Sequence, residues 1–278
     1  MIIGHIDHQL RRGSSQDARF VERLARRWDI PCRVKRVNVK AFAKKHRMGV
    51  EEAARTLRYQ ALTGMAKKDR CSAIVTAHTA NDQAETVLMN FLRGAGSVGL
   101  AGIPARRLMG GRRKILILRP LLKMKRNQIM QYLQQNSLRY RRDPTNDSLA
   151  FARNRIRHTT LPYLEKSAPG LSDRLIQAAD VFRQEEDFWN VPVSREMRKS
   201  VRKNGQRFTV VLPKLLGYHK ALSRRILRHI LPGLSFQDIQ HVLHLAERPA
   251  GTAWLRLPGN RRVRREKNKL VVIHKRIG

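Results

Sequence analysis

Apolar residues along the first half of this chain follow two alternating periods. Residues 2–7 read as a short strand. Val21, Leu24, Ala25 and Trp28 then repeat at i, i+3, i+4 and i+7, which predicts an amphipathic helix over residues 15–28, ended by Asp29-Ile30-Pro31. Residues 33–39 favour an extended conformation, with Val37 and Val39 on one face. A second helix is expected over 50–66, with Ala53, Ala54, Leu57, Ala61 and Met65 inward. Ser72-Ala73-Ile74-Val75-Thr76-Ala77 is an apolar run of the kind buried in parallel sheets. A loop at 78–81 leads into a helix over 82–93, whose core positions are Ala84, Val87, Leu88, Phe91 and Leu92, and Gly94-Ala95-Gly96 stops it. One more strand, 115–118, closes at Arg119-Pro120. The β-α-β-α-β-α-β order predicts an α/β domain with a parallel sheet over residues 1–150.

The pattern changes in the second half. Helices are expected over 151–165 and 170–190, the second carrying Leu171, Leu175, Ala178, Ala179, Phe182, Phe188 and Trp189, so that 151–194 form a helical connector. A basic, glycine-containing link over 195–207 follows. A strand at 208–212, helices near 219–231 and 235–247, and a closing pair of strands around Pro258-Gly259-Asn260 outline a small α+β module over 207–278.

Composition narrows the partner class. The 278 residues hold 58 Lys+Arg against 21 Asp+Glu, a formal net charge of +37. Such a field concentrates polyanions, and a chain this lopsided throughout is expected to bind nucleic acid. Between Thr86 and Arg142 there is no Asp or Glu, while Arg93, Arg106, Arg107, Arg112, Arg113, Lys114, Arg119, Lys123, Lys125, Arg126, Arg139, Arg141 and Arg142 all fall there. No run of 18 apolar residues suits a membrane helix, and the first residues carry no basic lead or cleavage-type tail, so no membrane partner is expected. Cys32 and Cys71 stand alone, which disfavours a disulfide framework or a cysteine-built metal site and points to a reducing cytoplasm.

Three clusters could carry chemistry. Thr76-Ala77-His78-Thr79-Ala80-Asn81-Asp82-Gln83-Ala84-Glu85-Thr86 sits where a buried strand meets a helix, the end at which α/β folds place their sites. Asp82 and Glu85, three apart, share a helical face and could hold Mg²⁺ beside a nucleotide phosphate. They could equally be an N-cap and its capping-box partner, which spacing alone favours. His5-Ile6-Asp7-His8-Gln9-Leu10-Arg11-Arg12-Gly13 lies at another strand end, where His8 and Arg11 could contact a nucleotide or simply form a polar loop. In Phe151-Ala152-Arg153-Asn154-Arg155-Ile156-Arg157, Arg153 and Arg157 stand at i and i+4 with Asn154 beside Arg157, either as phosphate binders or as a solvated basic helix face.

Taken in order, these segments resemble one family, the tRNA(Ile)-lysidine synthases, within the N-type ATP pyrophosphatases. The likeness also takes in Glu52-Ala53-Ala54-Arg55-Thr56-Leu57-Arg58-Tyr59, Arg93-Gly94-Ala95-Gly96, Arg119-Pro120-Leu121-Leu122 and Asp143-Pro144-Thr145-Asn146. It implies a Rossmann-like parallel sheet, a helical region and a small tRNA-binding module. The implied reaction uses ATP to adenylate C2 of the wobble cytidine, position 34, of a tRNA(Ile) with a CAU anticodon. The amine of free L-lysine then displaces AMP. By position the resemblance assigns Asp82 and Glu85 to catalysis and Mg²⁺, and His8, Arg11, Arg55, Arg58 and His78 to the nucleotide side. Arg153, Asn154 and Arg157 would face phosphate or tRNA, and a homodimer is possible. The chain departs from the family in having no Ser-Gly-Gly-x-Asp-Ser loop, in Asn81 where an aspartate is usual, and in lacking the far C-terminal module. It reads as beginning at the second strand, so the expectation is a coding sequence extending upstream and no activity from these residues alone. The rivals are a tRNA thiolase or amide-forming synthetase on the same fold, the thiolase disfavoured by the lone cysteines, and a non-catalytic RNA-binding protein.

If the protein neutralises about 6 phosphates of a tRNA, its affinity should fall by about three orders of magnitude between about 50 and 200 mM salt. Filter binding across that range checks this, and a flat response would exclude an electrostatic RNA partner.

Overall fold

A computed structural model describes residues 1–11, 13–109 and 114–274; Arg12, Arg112, Arg113 and the last residues of the C-terminal module lie outside them. The chain divides into two units, one of residues 1–95 and 99–180, the other of 96–98 and 181–278. No described helix is long and apolar enough to cross a membrane.

In the first unit, β1 (Ile3–Asp7) pairs in parallel with β2 (Cys32–Arg36) on either side of α1 (Ser14–Arg27). α2 (Val39–His46) follows at once, begun by the Asn38 side chain accepting the Ala41 N–H at 2.9 Å. Val37 and Val39, expected on one strand face, therefore lie beyond β2 and seal α2 against Ala43 and Ala53. α3 (Val50–Lys68) turns Ala53, Tyr59, Ala61 and Ala66 inward.

β3 (Ala73–Val75) leads to α4 (Ala80–Leu92) and the short α5 (Ser97–Leu100). β4 (Arg106–Met109) and β5 (Ile115–Leu118) complete a three-stranded sheet in the order β3-β5-β4. β3 and β5 are parallel as expected, whereas β4 is an antiparallel edge strand that the sequence pattern had not indicated. The parallel strands thus fall in two sheets, β1-β2 and β3-β5-β4, rather than in one. α3 lies against both. Gly4 of β1 sits so close beneath it that an added Cβ would come within 3.2 Å of Leu62 and Met65, and Tyr59 and Ala66 pack with Ile74 and Ile117. Phe91 and Leu92, expected in the core, are 65% and 61% exposed, because the buried face of α4 runs through Ala80, Ala84, Val87 and Leu88.

α6 (Arg126–Gln135) and a 3₁₀ turn at Pro144–Asp147 precede the expected helix over 151–165. That helix is built of α7 (Ala152–Arg155), a π-helical turn at Ile156–Thr160 and α8 (Leu161–Ser167). α9 (Leu171–Ser200) starts in the first unit and ends in the second.

α9 and β6 (Val201–Asn204) occupy most of the stretch expected to be a basic link, so 195–207 is ordered structure. The second unit has a five-stranded antiparallel sheet in the order β6-β7-β10-β9-β8, with β7 (Arg207–Val211), β8 (Leu255–Leu257), β9 (Arg261–Glu266) and β10 (Lys269–His274). α10 (Leu212–Gly217), α11 (Lys220–Ile230) and α12 (Phe236–Glu247) cover one face, and Leu212, Leu215, Ile226, Leu227, Ile239, Val242, Val263 and Leu270 form one dry core.

After α5 the chain reverses at Gly102, with φ +66°. An added Cβ there would stand 2.7–2.9 Å from the amide of Gln83, a 2% exposed side chain whose Oε1 accepts the Ile103 N–H at 2.7 Å. Gly102→Ala should therefore cost about 2 kcal/mol through left-handed strain and displacement of that amide. Urea unfolding of the variant checks it.

Candidate functional site

The carboxyl end of β3 feeds Thr76 to Thr79 and then α4. Thr79 is the N-cap: its hydroxyl accepts the Asp82 N–H at 3.4 Å, and Asp82 Oδ2 accepts the Thr79 N–H and hydroxyl at 2.8 and 2.9 Å. Asp82 is thus the capping-box partner and not the cap, and Glu85 has no part in the box. Glu85 is instead a carboxylate only 2% exposed.

Two arginines from α7 and the π turn answer that buried charge. Arg153 donates from Nε to Glu85 Oε2 at 2.9 Å and from Nη2 to Asp82 Oδ1 at 3.0 Å. Arg157 donates from Nε to Glu85 Oε1 at 2.6 Å, and from Nη2 to Glu85 Oε2 at 3.0 Å and Asp82 Oδ1 at 3.1 Å. Each guanidinium offers its Nε–Nη2 edge to the carboxylates, and among the described residues no partner is seen for either Nη1. Every oxygen of both carboxylates accepts a hydrogen bond. Burial alone would raise the Asp82 pKa, but the Thr79 bonds, Arg153 and Arg157 outweigh it and hold the group below the usual aspartate value. Among the described residues no three His, Cys, Asp or Glu side chains converge as a metal site. The pair as it stands is closed to a metal ion, because guanidinium groups occupy the positions a cation would take.

The loop after β1 supplies the other predicted residues. The Arg58 guanidinium reaches His8 Nε2 at 3.3–3.4 Å. His8 is held at a pKa of about 4 by burial and then by the Arg58 charge. His78 bonds the Thr76 hydroxyl at 3.0 Å, and it too is lowered to about 4, by burial first and then by Arg119, Arg153 and Arg55 against the pull of Asp82. Both rings are neutral at pH 7. Arg55 stacks on the Tyr59 ring with 5.2 Å to its centroid. Arg11 is ion-paired with Asp17 and, at 3.1 Å, with Asp143, so it ties the start of α1 to the 143–147 turn.

Asn154 is not brought to the site. It is buried, and its amide donates at 2.9 Å to the carbonyls of Thr145 and Ser148. Asn81 accepts the Arg126 N–H at 2.8 Å and so fixes α6 to the first turn of α4. Arg119 was legible only as part of a weak Arg-Pro-Leu-Leu string. It is 3% exposed and donates to the Pro104 carbonyl at 2.6 Å and the Tyr59 hydroxyl at 3.3 Å, while its Nε finds no partner among the described residues. A buried arginine at a parallel strand's carboxyl end belongs with the site by placement.

Residues 1–164 match the PP-loop domain family. The chain is 31% identical over 267 residues to the tRNA(Ile)-lysidine synthase of Geobacillus kaustophilus, covering 93% of this chain and 57% of that protein. It is 34% identical over 281 residues to that of Geobacter sulfurreducens, covering 97% and 58%. With that of Thermosynechococcus vestitus it shares 33% over 270 residues, covering 95% and 75%. The chain thus spans little more than half the length of the first two. In fold it is similar to the U34-tRNA thiolase NcsA from Methanococcus maripaludis, at TM-score 0.53 and 15% identity over 66% of this chain and 62% of that one.

Burial also lowers the His5 pKa. Histidines held neutral bind fewer protons than in the unfolded chain, where their pKa is about 6.5, so folding stability is full above that value and is lost as pH falls from about 6.5 towards 4. Urea midpoints measured from pH 7 to pH 4.5 should decline, and the decline should be shallower in a His8→Asn/His78→Asn double variant.

Proposed function

The chain belongs to the tRNA(Ile)-lysidine synthase family of PP-loop proteins, and from that premise we propose that it carries the catalytic portion of such an enzyme. The reaction joins lysine to C2 of the wobble cytidine of a tRNA(Ile) with a CAU anticodon. The cytosine oxygen at C2 attacks the α-phosphorus of ATP, and pyrophosphate leaves. The lysine amine then adds at C2 and AMP departs with the oxygen. The observation that carries this reading is the convergence of two distant segments at a strand's carboxyl end. The His78-to-Glu85 stretch and Arg153 with Arg157 meet in one hydrogen-bonded cluster, although about seventy residues separate them.

The residues present suit the work of positioning and charge neutralisation that such a transfer needs. Asp82 and Glu85 hold Arg153 and Arg157 with their Nη1 edges unspent, ready for phosphate oxygens. His8 and His78, neutral at pH 7, can accept a hydrogen bond from a base or ribose without adding charge. Arg55 and Arg58 complete the nucleotide side. Any Mg²⁺ arriving with ATP is held chiefly by phosphates and water. Asp82 joins it only by releasing its arginines, so no step is routed through the ion. The free edges of β1 and β3 both lie along α3, and a parallel strand bearing a glycine-rich loop between them would join the two sheets and cradle the pyrophosphate.

The test is incorporation of labelled lysine into a tRNA(Ile) transcript. It should be run on the 278-residue chain and on the same chain extended by a strand and a Ser-Gly-Gly-x-Asp-Ser loop. The extended chain should incorporate lysine. Asp82→Asn in that background should abolish adenylation while leaving tRNA binding within about twofold, because phosphate contacts come from the basic surface. Tight tRNA binding with no incorporation by either chain would identify a non-catalytic RNA-binding protein instead.

A further inference from the structure

The outer face of α3 and the edge strand β4 enclose a groove of about 630 Å³ that shares only Arg55 with the site above. Tyr59 and Met109 form its floor, and both pack on the apolar cluster around Ile117. Its rim carries Arg55, Lys67 and Arg107 against a single carboxylate, Glu52.

Two features of this groove have no use within the described residues. The Thr63 hydroxyl is shielded from water and has no hydrogen-bond partner, a state that costs free energy until something supplies one. Gly64 stands well inside a 19-residue helix, where glycine is unfavourable relative to alanine, and a Cβ built on it meets nothing within 4 Å. No packing within the chain requires that glycine. Its bare backbone leaves room for something from outside.

The shape and charge of the groove select the occupant. Arg55 and Lys67 are twelve residues apart on one helix, about 18 Å along its axis. Phosphates in a nucleic-acid strand follow one another every ~3.4 Å even in a duplex, so this span exceeds a single nucleotide. The threefold excess of cations selects a polyanion, whereas a second copy of a chain with net charge +37 would add more cations. The Arg55 guanidinium, stacked on Tyr59, offers a planar platform of the kind on which unpaired bases stack.

We propose that the α3–β4 groove binds a single-stranded RNA segment of a few nucleotides. Arg55, Lys67 and Arg107 meet its phosphates, and the Thr63 hydroxyl and the open backbone at Gly64 receive a ribose or base edge. The proposal deepens the RNA-directed reading above and rests on it.

Fluorescence anisotropy of a labelled single-stranded RNA hexamer, on the 278-residue chain without ATP or lysine, tests it. Lys67→Glu/Arg107→Glu should weaken hexamer binding by at least about tenfold, while Lys40→Glu/Lys44→Glu, the same charge change on the exposed face of α2, should cost less than about threefold. Gly64→Leu changes no charge and plugs the groove. It should weaken binding by about fivefold or more with an unchanged or raised melting temperature. Equal losses from both charge pairs, or full binding by Gly64→Leu, would overturn the assignment. So would AMP competing as well as unlabelled hexamer, which marks a mononucleotide pocket, or a change of oligomeric state in Gly64→Leu, which marks a contact between copies. If the unaltered chain fails to bind tRNA(Ile) transcript, the RNA-directed reading itself fails. If it binds transcript while the hexamer ignores the groove variants, only the groove assignment fails.

Discussion

A carboxylate withdrawn from water is tolerable only when counter-charges are withdrawn with it, and Glu85 imposes that condition on the first unit. Its counter-charges come from Arg153 and Arg157. Delivering both at once requires a helical turn whose two arginines face α4 while the residue between them faces elsewhere. Asn154 is that residue, and it draws the 144–147 turn in behind the helix through two carbonyls. With the arginines seated, Ile156 and Leu161 fall on Ala84 and Leu88, with Leu171 and Leu175 packed alongside. The ion pairs and the apolar patch therefore form in one docking event. Buried charge fixes its register, and dispersion and dehydration supply most of its favourable free energy.

Much of this was legible in the sequence wherever local rules act alone. The 3.6-residue period located α1, α3, α4, α11 and α12 because each buries a continuous apolar stripe. β4 escaped because Arg-Arg-Leu-Met carries no alternation that favours burial, and its strand character comes only from pairing with β5. Phe91 and Leu92 misled for the converse reason: they continue the apolar pattern past the point where α4 has anything to pack against. At the site, an i, i+3 pair of acids could be seen, but not that one of them would be nearly inaccessible. Only the tertiary fold brings two arginines about seventy positions away onto Asp82 and Glu85. Asn154 was grouped with its basic neighbours by adjacency, yet successive residues on a helix point in different directions, and this one spends both amide hydrogens on the backbone.

The charge imbalance acts inside the fold as well as outside it. Asp17, Asp82, Glu85, Glu186 and Glu196 are all held by arginine or lysine. With 58 basic side chains and 21 acidic ones, internal pairing leaves most of the cations without a partner carboxylate. Their field reaches inward to the histidines, where Arg58 on one ring and Arg119, Arg153 and Arg55 on the other reinforce what burial begins. One excess of charge thus both attracts a polyanion and keeps the imidazoles uncharged.

The π turn at Ile156–Thr160 adds a condition on the length of this segment. A π turn closes its hydrogen bonds one residue later than an α turn, so it accommodates an extra residue in the helix. Removing any one of these five residues would let the helix run on regularly. Everything beyond would then be rotated by about 100° relative to α7. Arg153 would keep its place on Glu85, while Leu161 and Leu164 would swing away from Leu88. Residue count in this stretch is therefore as constrained as residue identity. Substitutions at its exposed positions should be tolerated in a lineage where single-codon deletions are not.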